Sequence, residues 1–165
     1  MKKIIMMLML LAPMTMFAQK IGCVDIDAVA QNLSEFTKAQ EDLQALAKQK
    51  DTELEELFNE YKRKAEDYDK NKSTMNATKQ QETEQTLIEL QQKIQQARQD
   101  AEQELAKQQQ EKLAPIQSKV NKAIENVGNN GKYSIIVLKG TLPFISSTLV
   151  TDVTSECKTE VLKLK

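Results

Sequence analysis

The 165-residue sequence contains no histidine and no tryptophan, and only four glycines, three prolines, two cysteines, three tyrosines and four phenylalanines. Each shortage removes a class of chemistry. Without histidine there is no Ser-His or Cys-His nucleophile pair and no imidazole ligand for zinc. Glycine occurs only at positions 22, 128, 131 and 140, so neither a Walker loop nor a G-x-G-x-x-G turn can be assembled. The spacing Gly128-Asn129-Asn130-Gly131 follows a long helical pattern and predicts a helix stop and turn there, not a nucleic-acid clamp. A net charge of −1 offers no surplus of cations to neutralise phosphates, so no nucleic-acid partner is expected. No cofactor and no enzymatic reaction are implied.

What is present begins with a short hydrophobic run. Met1-Lys2-Lys3 precedes an apolar stretch from Ile4 to Ala18, too short to span a bilayer comfortably and of the form of a secretory signal peptide over residues 1–18. Cleavage after Ala18 leaves Gln19 first, with 21 basic residues against 24 acidic ones and a mature charge of −3. Ile21-Gly22-Cys23 resembles the end of a lipidation signal, but Lys20 stands where that signal needs a Leu-like residue, so Cys23 is expected as a small apolar side chain in a strand. Export would permit a Cys23–Cys157 bridge. Two separately buried thiols is the preferred expectation.

From Phe36 the apolar positions run Phe36, Ala39, Leu43, Leu46, Leu54, Leu57, Tyr61, Ala65, Tyr68, with Lys50 the one polar intruder. Alternating steps of three and four mark one face of a long helix close to a heptad pattern. No glycine or proline interrupts Ile26 to Ala114, and Glu, Gln, Lys, Leu and Ala fill the window, residues that lose least on entering a helix. Asn71 to Thr78 lacks a periodic face and is rich in side chains that bond their own backbone, which places a reversal near 71–78. The stripe then resumes through Leu87, Leu90, Ile94, Ala97, Ala101, Leu105, Leu113, Ile116, Val120, Ala123 or Ile124, and Val127. Pro115 predicts a kink in this returning helix. Straight helices of these lengths would span about 50 and 75 Å, too long to fit within a globular domain of this size. Residues 35–127 are therefore expected as an antiparallel helical-hairpin arm.

The flanks, 19–34 and 128–165, read as a β-rich body. Ile21 to Ile26 alternates as a strand, and Asp27 is expected to cap a short helix through Leu33. Asp25 and Asp27 lack a third ligand, so no metal site is expected from them. Tyr133 to Leu138 reads as a buried strand, Thr141 to Ile145 as a second strand confined to an edge by Pro143, and Thr151 or Asp152 as the start of a final helix bearing Val153, Cys157, Val161 and Leu164. A body of roughly fifty residues is marginal alone, and short strands leave open edges. Pairing with other copies is expected, through body residues Ile21, Val24, Ile135, Val137 and Phe144. The overall class is α+β, mainly α.

Taken in succession, Lys20-Ile21-Gly22-Cys23-Val24-Asp25, the Gln/Glu/Lys-rich hairpin, Leu113-Ala114-Pro115-Ile116 and the strand Tyr133 to Leu138 before Asp152-Val153-Thr154 resemble the OmpH/Skp family of periplasmic chaperones. The resemblance covers the whole mature chain and implies a homotrimer. Its bodies would form a β-barrel-like hub, and its helical arms would enclose unfolded outer-membrane proteins, keeping them soluble without ATP. On this reading Tyr61, Tyr68 and Met75 are candidate client contacts in the far half of the arm, methionine for its adaptable shape. The arm departs from the family in charge. Residues 35–127 hold 15 basic and 19 acidic side chains, and Lys70, Lys72 and Lys79 near the tip are surrounded by Asp67, Asp69, Glu82 and Glu84, so electrostatic steering towards a membrane surface is not implied. An envelope coiled coil bracing fixed partners is the alternative function.

Overall fold

The computed structural model describes residues 19–164; the leader assigned to 1–18 lies outside the described residues. Strand β1 (Ile21–Val24) opens the chain and short helix α1 (Ile26–Ala30) follows it. The cap is Asp25, not Asp27: its Oδ1 accepts from the Ala28 N–H at 2.9 Å, which leaves Asp27 in the first turn, where its carboxylate still favours the positive helix end. The helix also stops at Ala30, short of the expected Leu33, which instead stands at the start of the next helix.

Two long helices make up most of the chain. Helix α2 (Ser34–Asn71) has 38 residues and α3 (Ala77–Gly131) has 55, lengths of about 57 and 82 Å at 1.5 Å per residue. Between them Asn76 caps α3 by accepting from the Lys79 N–H at 2.9 Å. They run antiparallel, as the contacts crossing between them show. Lys119 meets Glu35 and Lys112 meets Asp42, each at 2.7 Å, while Gln91 donates to the Tyr61 hydroxyl at 2.8 Å nearer the tip. Helix α3 passes through Pro115 without ending. It ends at Gly131, the last residue of the stop expected over Gly128 to Gly131, and there Lys132 takes the left-handed conformation at φ 54° and returns its N–H to Asn129 and Gly128 carbonyls. Gly131 is required there, because a Cβ would lie 2.4 Å from the Tyr133 ring.

Strands β2 (Ile135–Leu138) and β3 (Val150–Asp152) complete a three-stranded sheet of order β2-β1-β3, in which both neighbours run parallel to β1. The expected strand at Thr141–Ile145 does not form. Gly140, at φ 84°, begins a turn, Pro143 has no N–H for a ladder, and the chain loops to Val150 before pairing. Neither is β2 a buried strand, since Ile135 is 53% and Leu138 38% exposed. Helix α4 (Thr154–Val161) starts two to three residues later than expected, because Thr151 and Asp152 belong to β3.

One hydrophobic cluster holds these parts together. Val24, Val29, Leu33, Ala39, Ile116, Val120, Ala123, Val153, Cys157 and Val161 are buried in it, so the core lies where sheet, α1, α4 and the base of the hairpin meet. The fold is mainly helical, a long antiparallel hairpin on a small sheet.

Candidate functional site

The two faces of the sheet differ. Parallel partners point the same way, so Ile21, Cys23, Ile135, Val137, Val150 and Asp152 share one face and Gly22, Val24 and Ile136 the other. The second face is covered: Val24 is fully buried in the core, Ile136 packs against it, and a Cβ on Gly22 would meet the Tyr133 ring at 3.1 Å. Beside the first face lies the 139–149 loop, which buries Cys23 and leaves a hollow of about 280 Å³ lined by Cys23, Lys139, Ile145, Ser146, Ser147, Val150 and Asp152. The loop itself shows its apolar side chains to solvent, Phe144 at 79% and Leu149 at 81% exposure, with Leu142 half exposed. Of the residues expected to join copies, Ile21, Ile135 and Val137 therefore lie on one outward sheet face and Phe144 on the loop beside it. Val24 is different. Buried inside its own chain, it has no surface to offer a second copy.

Polar contacts fix the sheet's ends. Lys139 Nζ lies 2.6 Å from Asp152 Oδ2, and Asp152 Oδ1 accepts from the Thr154 N–H at 3.0 Å and from its hydroxyl. The Lys139 hydrogen bond, with those from Thr154, holds the Asp152 carboxyl down at about 2. The Thr154 hydroxyl oxygen in turn accepts from the Asp25 N–H at 3.0 Å, joining α4 to β1. Cys23 and Cys157 are both buried free thiols, and burial pushes Cys157 up to about 11, which makes it a poor nucleophile. Among the described residues there is no cluster of three metal-ligating side chains and no helix long and apolar enough to cross a membrane.

Along the arm, Tyr61 and Tyr68 are partly buried in the seam and point across it. The Tyr61 hydroxyl accepts from Gln91 Nε2, and the Tyr68 hydroxyl donates to Glu84 Oε1, which raises the Tyr68 pKa by stabilising its protonated form. Met75 sits in the turn, partly buried, its carbonyl accepting from Gln80 at 3.1 Å. Tyr68 and Met75 line one hollow of about 310 Å³ near the tip, whereas Tyr61 is not part of its lining. The tyrosines latch the helices together and keep part of each ring at the surface. Sequence reasoning passed over Phe58, 56% exposed, and Ile88, 47% exposed. Each follows a seam residue, Leu57 or Leu87, by one position and so falls about 100° around the helix, outside the stripe. A large apolar residue off the stripe was the signal that could have found them. At the tip, Lys72 pairs with Asp69 and Lys79 with Glu82, so two of the three tip lysines are locally neutralised.

Comparison with known proteins agrees with this architecture. No match was found among curated proteins. A crystal structure of a protein described as an outer membrane chaperone (OmpH-like), from Caulobacter crescentus, superposes with a TM-score of 0.70 at 15% identity, covering 87% of this chain and 83% of that one; at that identity the likeness is one of fold. The model of the family described as "Outer membrane protein (OmpH-like)" matches residues 20–161, from the residue ahead of β1 to the last residue of α4. The chain belongs to the OmpH family.

Proposed function

We propose that the chain is an ATP-independent periplasmic holdase that shelters unfolded outer-membrane proteins between the arms of a homotrimer. The observation that carries this reading is the partly exposed apolar sheet face, with the exposed Phe144 and Leu149 beside it, at the foot of a long, slender hairpin. Burying Ile21, Ile135, Val137 and the Phe144 loop against other copies removes apolar surface from water, worth about 25 cal/mol per Å². Copies joined by their feet project their arms from one hub, and the space between the arms becomes the client cavity. Phe58, Ile88, the exposed edges of Tyr61 and Tyr68, and Met75 supply scattered apolar contacts along it. Individually weak contacts repeated over several arms give retention by avidity while each remains easily broken. The chain carries no Walker motif, in keeping with holding that needs no nucleotide, and the acidic balance of the arm argues against capture by an anionic membrane.

The test is dilution of a urea-denatured outer-membrane β-barrel into buffer with and without the protein. Suppressed light scattering at about equimolar trimer, unaffected by ATP, is the expected result. Unchanged scattering with a folded, oligomeric protein would overturn the holdase reading, and a single saturable folded partner would support the bracing coiled coil instead.

A further inference from the structure

We infer that removal of residues 1–18 creates a modification site at Gln19, whose freed α-amine closes on its own side chain to form pyroglutamate. The inference rests on the export reading above. Gln19 is exposed and precedes β1, whereas the chain is held from the next residue onward. The Lys20 carbonyl accepts from the Ser134 N–H at 2.8 Å, and its ammonium donates to the Gly131 carbonyl at 3.2 Å while lying 4.0 Å from the Tyr133 ring centroid. Among the described residues, Gln19 is the one ahead of this anchorage, and it is exposed.

The chemistry needs no partner. The α-nitrogen attacks the side-chain amide carbon, a new C–N bond closes a five-membered lactam, and the old bond to Nε2 breaks. The amide nitrogen leaves as ammonia, carrying the proton that the α-amine gives up. Attack within one residue has the advantage of proximity, and no oxidant or reductant is involved. The product lacks both the terminal charge and the amine that an aminopeptidase must grip.

The structure gives that protection a purpose. Strand β1 is the middle strand, and both β2 and β3 pair with it. Its first residue, Ile21, faces Ile135 on one side and Val150 on the other. Trimming that begins at a free Gln19 reaches this double pairing after two residues, so fraying from the terminus attacks the joint of the whole sheet.

The full 165-residue chain, expressed with its leader in an exporting bacterium and purified from the envelope, is digested and its N-terminal peptide weighed and subjected to Edman degradation. The expected peptide starts at residue 19, is lighter than its sequence by one ammonia, and is blocked. Gln19→Ala should be open to Edman chemistry and shortened at least several-fold faster by a broad-specificity aminopeptidase. A residue-19 terminus that keeps its full mass and free amine on prolonged storage would overturn the proposal while leaving export intact. A terminus elsewhere, or a retained leader, would overturn cyclisation together with the cleavage on which it rests. Equal trimming of blocked and Gln19→Ala protein would overturn the protective role.

Discussion

The body and the arm are built from the same chain by opposite means. The body concentrates its burial: Val24, Val29, Val120, Val153, Cys157 and Val161 are almost wholly inaccessible, gathered from both ends of the sequence and from the root of α3. The arm spreads its burial thinly, with Leu90 and Ala101 the buried positions beyond its root and Lys50 and Gln108 standing partly buried along its seam. A concentrated core makes one structure much better than its alternatives. A thin seam keeps two helices side by side at modest gain, and the arm owes its regularity to helix-forming composition as much as to packing. Tight anchoring and loose reach are therefore separate properties of separate segments.

The contrast can be broken hardest at the outward sheet face. Ile135→Asp combined with Phe144→Ser should lower the association constant of the copies more than tenfold, seen by sedimentation velocity, while leaving far-UV helicity nearly unchanged; loss of helicity as well would show that the arm depends on the body. Core truncation comes next. Val120→Ala should cost about 2–3 kcal/mol in chemical denaturation, whereas Leu57→Ala, at a half-buried seam position, should cost about 1 kcal/mol; equal losses would erase the distinction drawn above. Smaller still, Tyr61→Phe with Tyr68→Phe should remove two exposed cross-arm hydrogen bonds, leave the denaturation midpoint nearly unchanged and speed amide exchange in the distal half only. If aggregation suppression falls with these hydroxyls while exchange stays the same, the tyrosines contact client more than they latch the arm.

The smallest effect concerns acid. Because the Asp152 carboxyl is held at about 2 in the folded chain against an ordinary value of 3.8, its contribution to stability is complete above the unfolded value and is lost as pH falls through the folded one. Asp152→Asn should remove this contribution at neutral pH and flatten the stability profile between about pH 4 and 2, a change confined to the body. An equal change in the acid profile of an Asp42→Asn variant would place that sensitivity in the arm as well.

The same contrast explains what could be read from residue order. The arm was legible because helix periodicity is local: Phe36 to Tyr68 repeats its spacing often enough to identify face and direction without reference to anything distant. The body was not. Thr141 to Ile145 has strand-like residues but a proline where a ladder needs a donor, and β3 is three residues of weak pattern whose pairing with Ile21 to Cys23 is decided more than a hundred positions away. Asp25 and Asp27 could each cap a helix, and only the course of the chain after Val24 selects between them. The outward residues Ile21, Ile135 and Val137 were identified by their type, but Val24 alternates onto the opposite face, a distinction that required the parallel register.

The parallel sheet also sets a timetable. Its middle strand is made first, while both partners are made after the entire hairpin. Closing so large a loop is entropically slow. During synthesis, the hairpin has all it needs to zip up before its own foundation exists. Each newborn chain thus acquires its reach before the sheet that seats it.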